Sequence, residues 1–116
     1  MNGMRLALLL NLFLLAGQFV FSQSENNVVF RIQLAASKTA LAKTHKLFID
    51  LPETEGVKFD DGYIRYYIGQ FETFFEAKTF ISEVLKPKGY NEAYVMAFNN
   101  GKLITVDEAI DIIYAE

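Results

Sequence analysis

The sequence predicts an α+β domain, a four-stranded antiparallel sheet with two helices on one face, in the order β-α-β-β-α-β, followed by a C-terminal helix. Three observations predict it. Residues 30–34 and 63–69 alternate in polarity or are dense in β-branched and aromatic side chains, as strands with one buried face do. Thr73-Phe74-Phe75-Glu76 is a capping box that opens an amphipathic helix. Asp60-Asp61-Gly62 is a hairpin signal. The 116 residues, 52% apolar and 22% charged, suffice for one domain and exclude an intrinsically disordered chain.

The first segment is an address. Arg5 gives a short positive region and residues 6–16 an apolar one. Val20-Phe21-Ser22 then sets a β-branched and a small residue at the positions expected for cleavage after Ser22. Residues 1–22 thus read as a signal peptide, and the mature chain as periplasmic or otherwise extracytoplasmic. Asn11, Gly17 and Gln18 interrupt the apolar run, which falls short of the ~20 residues a spanning helix needs. The other reading is an uncleaved anchor; after cleavage no stable membrane insertion is expected. Cleavage removes Arg5, so the 11 basic residues become 10 against 14 acidic ones, a net charge of −4. Such a chain has no electrostatic grip on phosphate backbones, which excludes nucleic acid as a partner.

Residues 23–27 form a polar, flexible lead-in. A strand follows over 28–35, with Phe30, Ile32 and Leu34 on one face and Arg31 and Gln33 on the other. Ser37 or Thr39 caps a helix over 40–49 with Leu41, His45, Phe48 and Ile49 as its stripe. A short strand over 57–59 leads through the Asp-Gly turn into the strand over 63–69. The helix opened by Thr73 carries Ala77, Phe80, Ile81, Val84 and Leu85 and stops at Pro87 and Gly89. A strand over 93–98 turns into residues 102–104, and a last helix starts at Thr105 or Asp107. Residues 28–104 thereby form a split βαβ, the ferredoxin-like arrangement, with 105–116 as a helical extension.

Both helices of such a domain cover one sheet face. Ile32, Leu34, Ile64, Ile68 and Val95 should lie beneath them. The opposite parity presents Arg31, Gln33, Tyr63, Arg65, Tyr67, Tyr94, Met96 and Phe98. Rings stack on the flat side of a sugar, and Gln and Arg hydrogen-bond its substituents, so a polysaccharide strand suits this face. Two plainer readings stand beside it: the rings pack beneath the C-terminal helix, or Arg65 pairs with a cross-strand carboxylate.

Residues 30–37 (FRIQLAAS), then 63–71 (YIRYYIGQF), then Glu76-Ala77 on a helix ending near Gly89, resemble the SPOR (sporulation-related) domain over about residues 28–104. The resemblance implies a βαββαβ fold and non-catalytic binding of bacterial peptidoglycan, typically glycan strands stripped of their stem peptides. It also implies concentration at cell-division sites, and cell-envelope or division proteins as further partners. Gln33 falls on the glutamine of the family's first-strand motif, Arg65 on its arginine four residues before the glycine, and Tyr63 on an aromatic position before that arginine. Tyr94 falls on an apolar contact of the last strand. With Tyr67, which stacks in the parity reading, these are the expected glycan-binding residues. A serine that contacts glycan in the family falls at Ala36.

Catalysis needs more than the sequence offers. A muramidase-type mechanism requires two carboxylates in different environments, and Asp60 with Asp61, or Asp107 with Glu108, sit where turns and helix starts explain them. With no cysteine and one histidine, His45, neither a metal nor another cofactor is expected. The competing class is a periplasmic protein–protein interaction module using the same aromatic face.

Overall fold

The computed structural model describes residues 25–115, so the expected signal peptide lies outside the described residues. The chain is a mixed α+β domain built on a five-stranded antiparallel sheet. Its elements are β1 (Val28–Ser37), α1 (Lys46–Asp50), β2 (Glu55–Lys58), β3 (Ile64–Phe71), α2 (Phe74–Phe80), β4 (Tyr94–Asn99), β5 (Lys102–Ile104) and α3 (Val106–Ala115). The sheet order is β2-β3-β1-β4-β5, with every neighbouring pair antiparallel.

Two expectations are corrected. The sheet has five strands rather than four, because Asn100 and Gly101 both take positive φ (53° and 82°). That backbone folds a two-residue hairpin whose twist matches its strands, and it returns β5 onto residues 97–99 of β4. The helix expected over 40–49 is only the five residues of α1. The backbone upstream is captured elsewhere: the Leu41 N–H donates to the Tyr66 hydroxyl at 2.9 Å, and His45 Nδ1 accepts the Leu47 N–H at 3.0 Å as an N-cap. Leu47 and Leu51 face the core in place of His45 and Ile49, which are exposed.

The second helix follows its sequence closely. The Glu76 N–H donates to Thr73 Oγ1 at 3.1 Å and the Thr73 N–H to Glu76 Oε1 at 3.2 Å, closing the capping box. Beyond α2 the chain continues through a π turn (Ile81–Leu85) and a 3-10 turn (Lys86–Lys88), keeping Ala77, Ile81 and Leu85 buried, and ends at left-handed Gly89. Thr105 and Glu108 cap α3 in the same reciprocal way, leaving its Ala109 fully buried.

One face of the sheet carries the main core. Phe30, Ile32, Tyr66, Ile68, Val95 and Ala97 from the strands meet Leu47, Ala77, Ile81, Leu85 and Ala109 from the helical side, with Leu34 and Ile64 packed against them. The C-terminal helix therefore joins the other two and does not roof the aromatic parity. The lead-in is tied down: the Asn27 N–H donates to Asn99 Oδ1 at 2.9 Å, and Asn100 Nδ2 to the Glu25 carbonyl at 3.0 Å. No helix among the described residues is long and apolar enough to cross a membrane.

The β1–β3 ladder is interrupted twice. Residues 30 to 32 of β1 span residues 71 to 68 of β3, and residues 33 to 35 span residues 67 to 66. The first irregularity puts an extra residue in β3 around Gly69 (φ 81°), the second an extra residue in β1 at Leu34. Such bulges bend a strand and increase its twist. A Cβ at position 69 would lie 2.3 Å from the Phe71 ring, so Gly69→Ala combines left-handed strain with a clash. It should cost roughly 2–4 kcal/mol in urea denaturation, whereas Gly62→Ala (φ 91°, with nothing within 4 Å) should cost only about 1 kcal/mol.

Candidate functional site

Residues paired across an antiparallel ladder share a face. Gln33 pairs with Tyr67 on one side and Tyr94 on the other, Arg31 with Met96, Val29 with Phe98, and Val57 with Arg65. These side chains occupy the helix-free face. The sheet is curled there, and Val57 of β2 and Gly101 of the β4–β5 turn reach the same pocket.

Tyr67 is the centre of this face and has no exposed surface. Its ring meets Phe98 edge-on at 5.4 Å and Phe59 at 6.4 Å, and the Arg31 guanidinium sits 5.5 Å from its centroid. Arg31 is fixed in turn, donating from Nε to the Gly69 carbonyl at 2.9 Å and from Nη1 to Glu55 Oε1 at 2.7 Å. One guanidinium thus ties β1, β3 and β2 together over the ring, by charge-assisted bonds and a cation–π contact. The expected exposed stacking role of Tyr67 is thereby corrected, since Arg31, Phe59 and Phe98 enclose it. The open ring is Tyr94, 48% exposed, with Tyr63 and Phe98 half-buried.

Arg65 forms one wall. Its Nη1 and Nη2 donate to Asp61 Oδ1 and Oδ2 at 3.2 and 2.9 Å, and its guanidinium lies 4.5 Å from the Phe59 centroid and 5.7 Å from that of Tyr63. Arg65 does pair with a carboxylate, and the acid comes from the hairpin rather than from a facing strand. Arg65 and the Tyr63 N–H hold the Asp61 carboxyl below its ordinary value. The pair uses two of the five guanidinium N–H groups.

Three buried side-chain atoms among the described residues have no hydrogen-bond partner, and two of them, Gln33 Oε1 and Tyr67 Oη, lie on this face. Gln33 is 6% exposed. Burial pushes the Tyr67 hydroxyl up, with Arg65 and Arg31 pulling the other way, so it remains a protonated donor at neutral pH. At one end the face opens into a pocket of about 270 Å³ lined by Val29, Arg31, Val57, Tyr67, Gln70 and Phe98, among others.

Comparison with protein-family models, with curated proteins and with solved structures found no match. The site therefore has to be read from its own chemistry.

Of the expected residues, Gln33, Tyr67 and Tyr94 stand side by side through the β3–β1–β4 register, and Arg65 and Tyr63 flank them from β3 and its hairpin. Sequence reasoning set Arg31 and Phe98 on this face but gave them no role, and it gave Phe59, the last residue of the strand expected over 57–59, neither a face nor a role. Phe59 lies past the end of β2, where strand parity has no meaning; the only signal was an aromatic residue directly before the Asp-Asp-Gly turn. Two of the carboxylates weighed for catalysis have local work, Asp61 on Arg65 and Glu108 in its cap. Among the described residues no group of three His, Cys, Asp or Glu is placed to hold a metal.

Because the folded-state Asp61 carboxyl lies below its ordinary value of 3.8, its contribution is fully present above about pH 4 and lost as pH falls through the lower folded value. Asp61→Asn should therefore lower Tm at pH 7, and the gap to the parent protein should close as pH falls through and below that folded value. A gap independent of pH would contradict the ion-pair account.

Proposed function

We propose that this chain is an exported, ferredoxin-like domain of the SPOR type, with β5 as an added edge strand, that binds peptide-stripped cell-wall glycan along its helix-free face without catalysis. The observation that carries the reading is the pairing of buried, unpartnered hydrogen-bonding atoms, Gln33 Oε1 and Tyr67 Oη, with accessible rings on one concave surface. Folded chains rarely leave such atoms unsatisfied unless something else meets them. Carbohydrate meets both demands, since its ring faces stack on aromatic side chains and its substituents hydrogen-bond.

The roles divide by exposure. Tyr94 and Tyr63 are the stacking surfaces; Gln33 and the N–H groups of Arg65 outside the Asp61 pair are the polar contacts; Tyr67 is the floor. Export through residues 1–22 would bring the domain to the cell wall. The order β2-β3-β1-β4 supports the ferredoxin-like reading. The resemblance of residues 30–37 and 63–71 to SPOR motifs supports the ligand class.

The test is cosedimentation of the mature protein with purified sacculi before and after amidase treatment. Binding should increase after treatment. Tyr94→Ala, a change at a half-exposed ring, should weaken it roughly threefold to tenfold while leaving Tm within about 2 °C. Tight self-association or capture of an envelope protein, with indifference to both sacculus preparations, would instead favour an interaction module.

A further inference from the structure

Resting on the glycan reading of the same face, we propose that the groove recognises the N-acetyl group of an amino sugar, with Tyr67 Oη donating to the acetamido carbonyl and the acetamido methyl group seated against Val29, Val57 and Phe98. The pocket at the end of the face has the required chemistry. Those three residues form apolar walls, Tyr67 lines it, and among the described residues lining it none is acidic. A methyl group gains from such walls, whereas a sugar hydroxyl does not. The ammonium of a de-N-acetylated sugar would meet the Arg31 guanidinium and no free carboxylate.

The unpartnered atoms add a second constraint. Tyr67 offers a donor and Gln33 Oε1, at the position paired with it, an acceptor; both are buried without partners. A secondary amide carries one donor and one acceptor, so a hydroxyl and a carboxamide oxygen on the same sheet face can between them meet both. A hydroxyl kept in an aromatic setting where phenylalanine would fit carries a penalty for the free protein, as expected of a group that serves a ligand. Reaching these atoms requires the roof over Tyr67 to shift. Of the two bonds that hold Arg31, the one to Glu55 ends on an exposed acid of edge strand β2, and exposed ion pairs of this kind add little stability.

The experiment is cosedimentation of the mature protein with three preparations of amidase-treated sacculi: native, de-N-acetylated by a deacetylase, and de-N-acetylated then re-acetylated with acetic anhydride. Binding should fall about tenfold on de-N-acetylation and return on re-acetylation. Simple electrostatics predicts the opposite, because the acidic chain is drawn to the exposed amines. Tyr67→Phe should lower binding to native sacculi about fivefold, leave binding to the de-N-acetylated preparation unchanged, and hold or raise Tm. Equal binding to all three preparations overturns the N-acetyl assignment and leaves the glycan reading standing. No binding to native treated sacculi overturns both. The sacculus series uses the parent protein alone, so its outcome does not depend on how any variant folds.

Discussion

The two breaks in the β1–β3 ladder are the constraint on which the rest of the molecule depends. β1 and β3 are central strands, and the extra residues at Leu34 and around Gly69 bend both. The bend at Gly69 offers its carbonyl to Arg31, and from that anchor the guanidinium reaches Glu55 across β3. The Tyr67 ring is trapped beneath. Without the curl, β2 and the β4–β5 turn would lie too far apart to line one pocket, and the helix-free face would be a flat sheet of the kind solvent covers.

The sheet consequently has a packed centre on each side, and the two differ in kind. Beneath the helices, Phe30, Ile32, Ile68, Leu85 and Ala97 bury apolar surface, and the hydrophobic effect accounts for the fold. On the other side Tyr67, Phe59 and Phe98 gather around two guanidiniums and a buried carboxamide. That second centre adds rigidity through charge-assisted bonds, yet it leaves Gln33 and Tyr67 with unmet hydrogen-bonding capacity. A stability-driven design would place leucine or phenylalanine there. The polar choice makes sense when the face has a ligand to meet.

Much of this was legible in the residues. Alternation along 30–34 and 64–68 assigned the two faces correctly, and Thr73 with Glu76 marked the second helix. The fifth strand escaped because residues 102–104 are too few to show alternation, and only the left-handed backbone of Asn100 and Gly101 returns them onto β4. The first helix was overextended because Leu41 to Ile49 has a helical stripe, while a tertiary bond from Leu41 to Tyr66 overrides it. Exposure was the least legible property. Parity put Tyr67 on the helix-free face, but only the curl, with Arg31 and Phe59 folded over it, decides that it is floor and not platform.

If ligand meets the concave face built on Tyr67, an amide NMR titration of the ¹⁵N-labelled mature protein with soluble, peptide-free glycan strands will show it most directly. Shifts should concentrate at Gln33, Arg65, Tyr67, Tyr94 and Phe98, together with the Arg31 and Glu55 signals that report the roof. Shifts gathered instead around Phe75, Ile113 and Tyr114 on the helical side, or none at saturating glycan, would contradict a ligand site on this face.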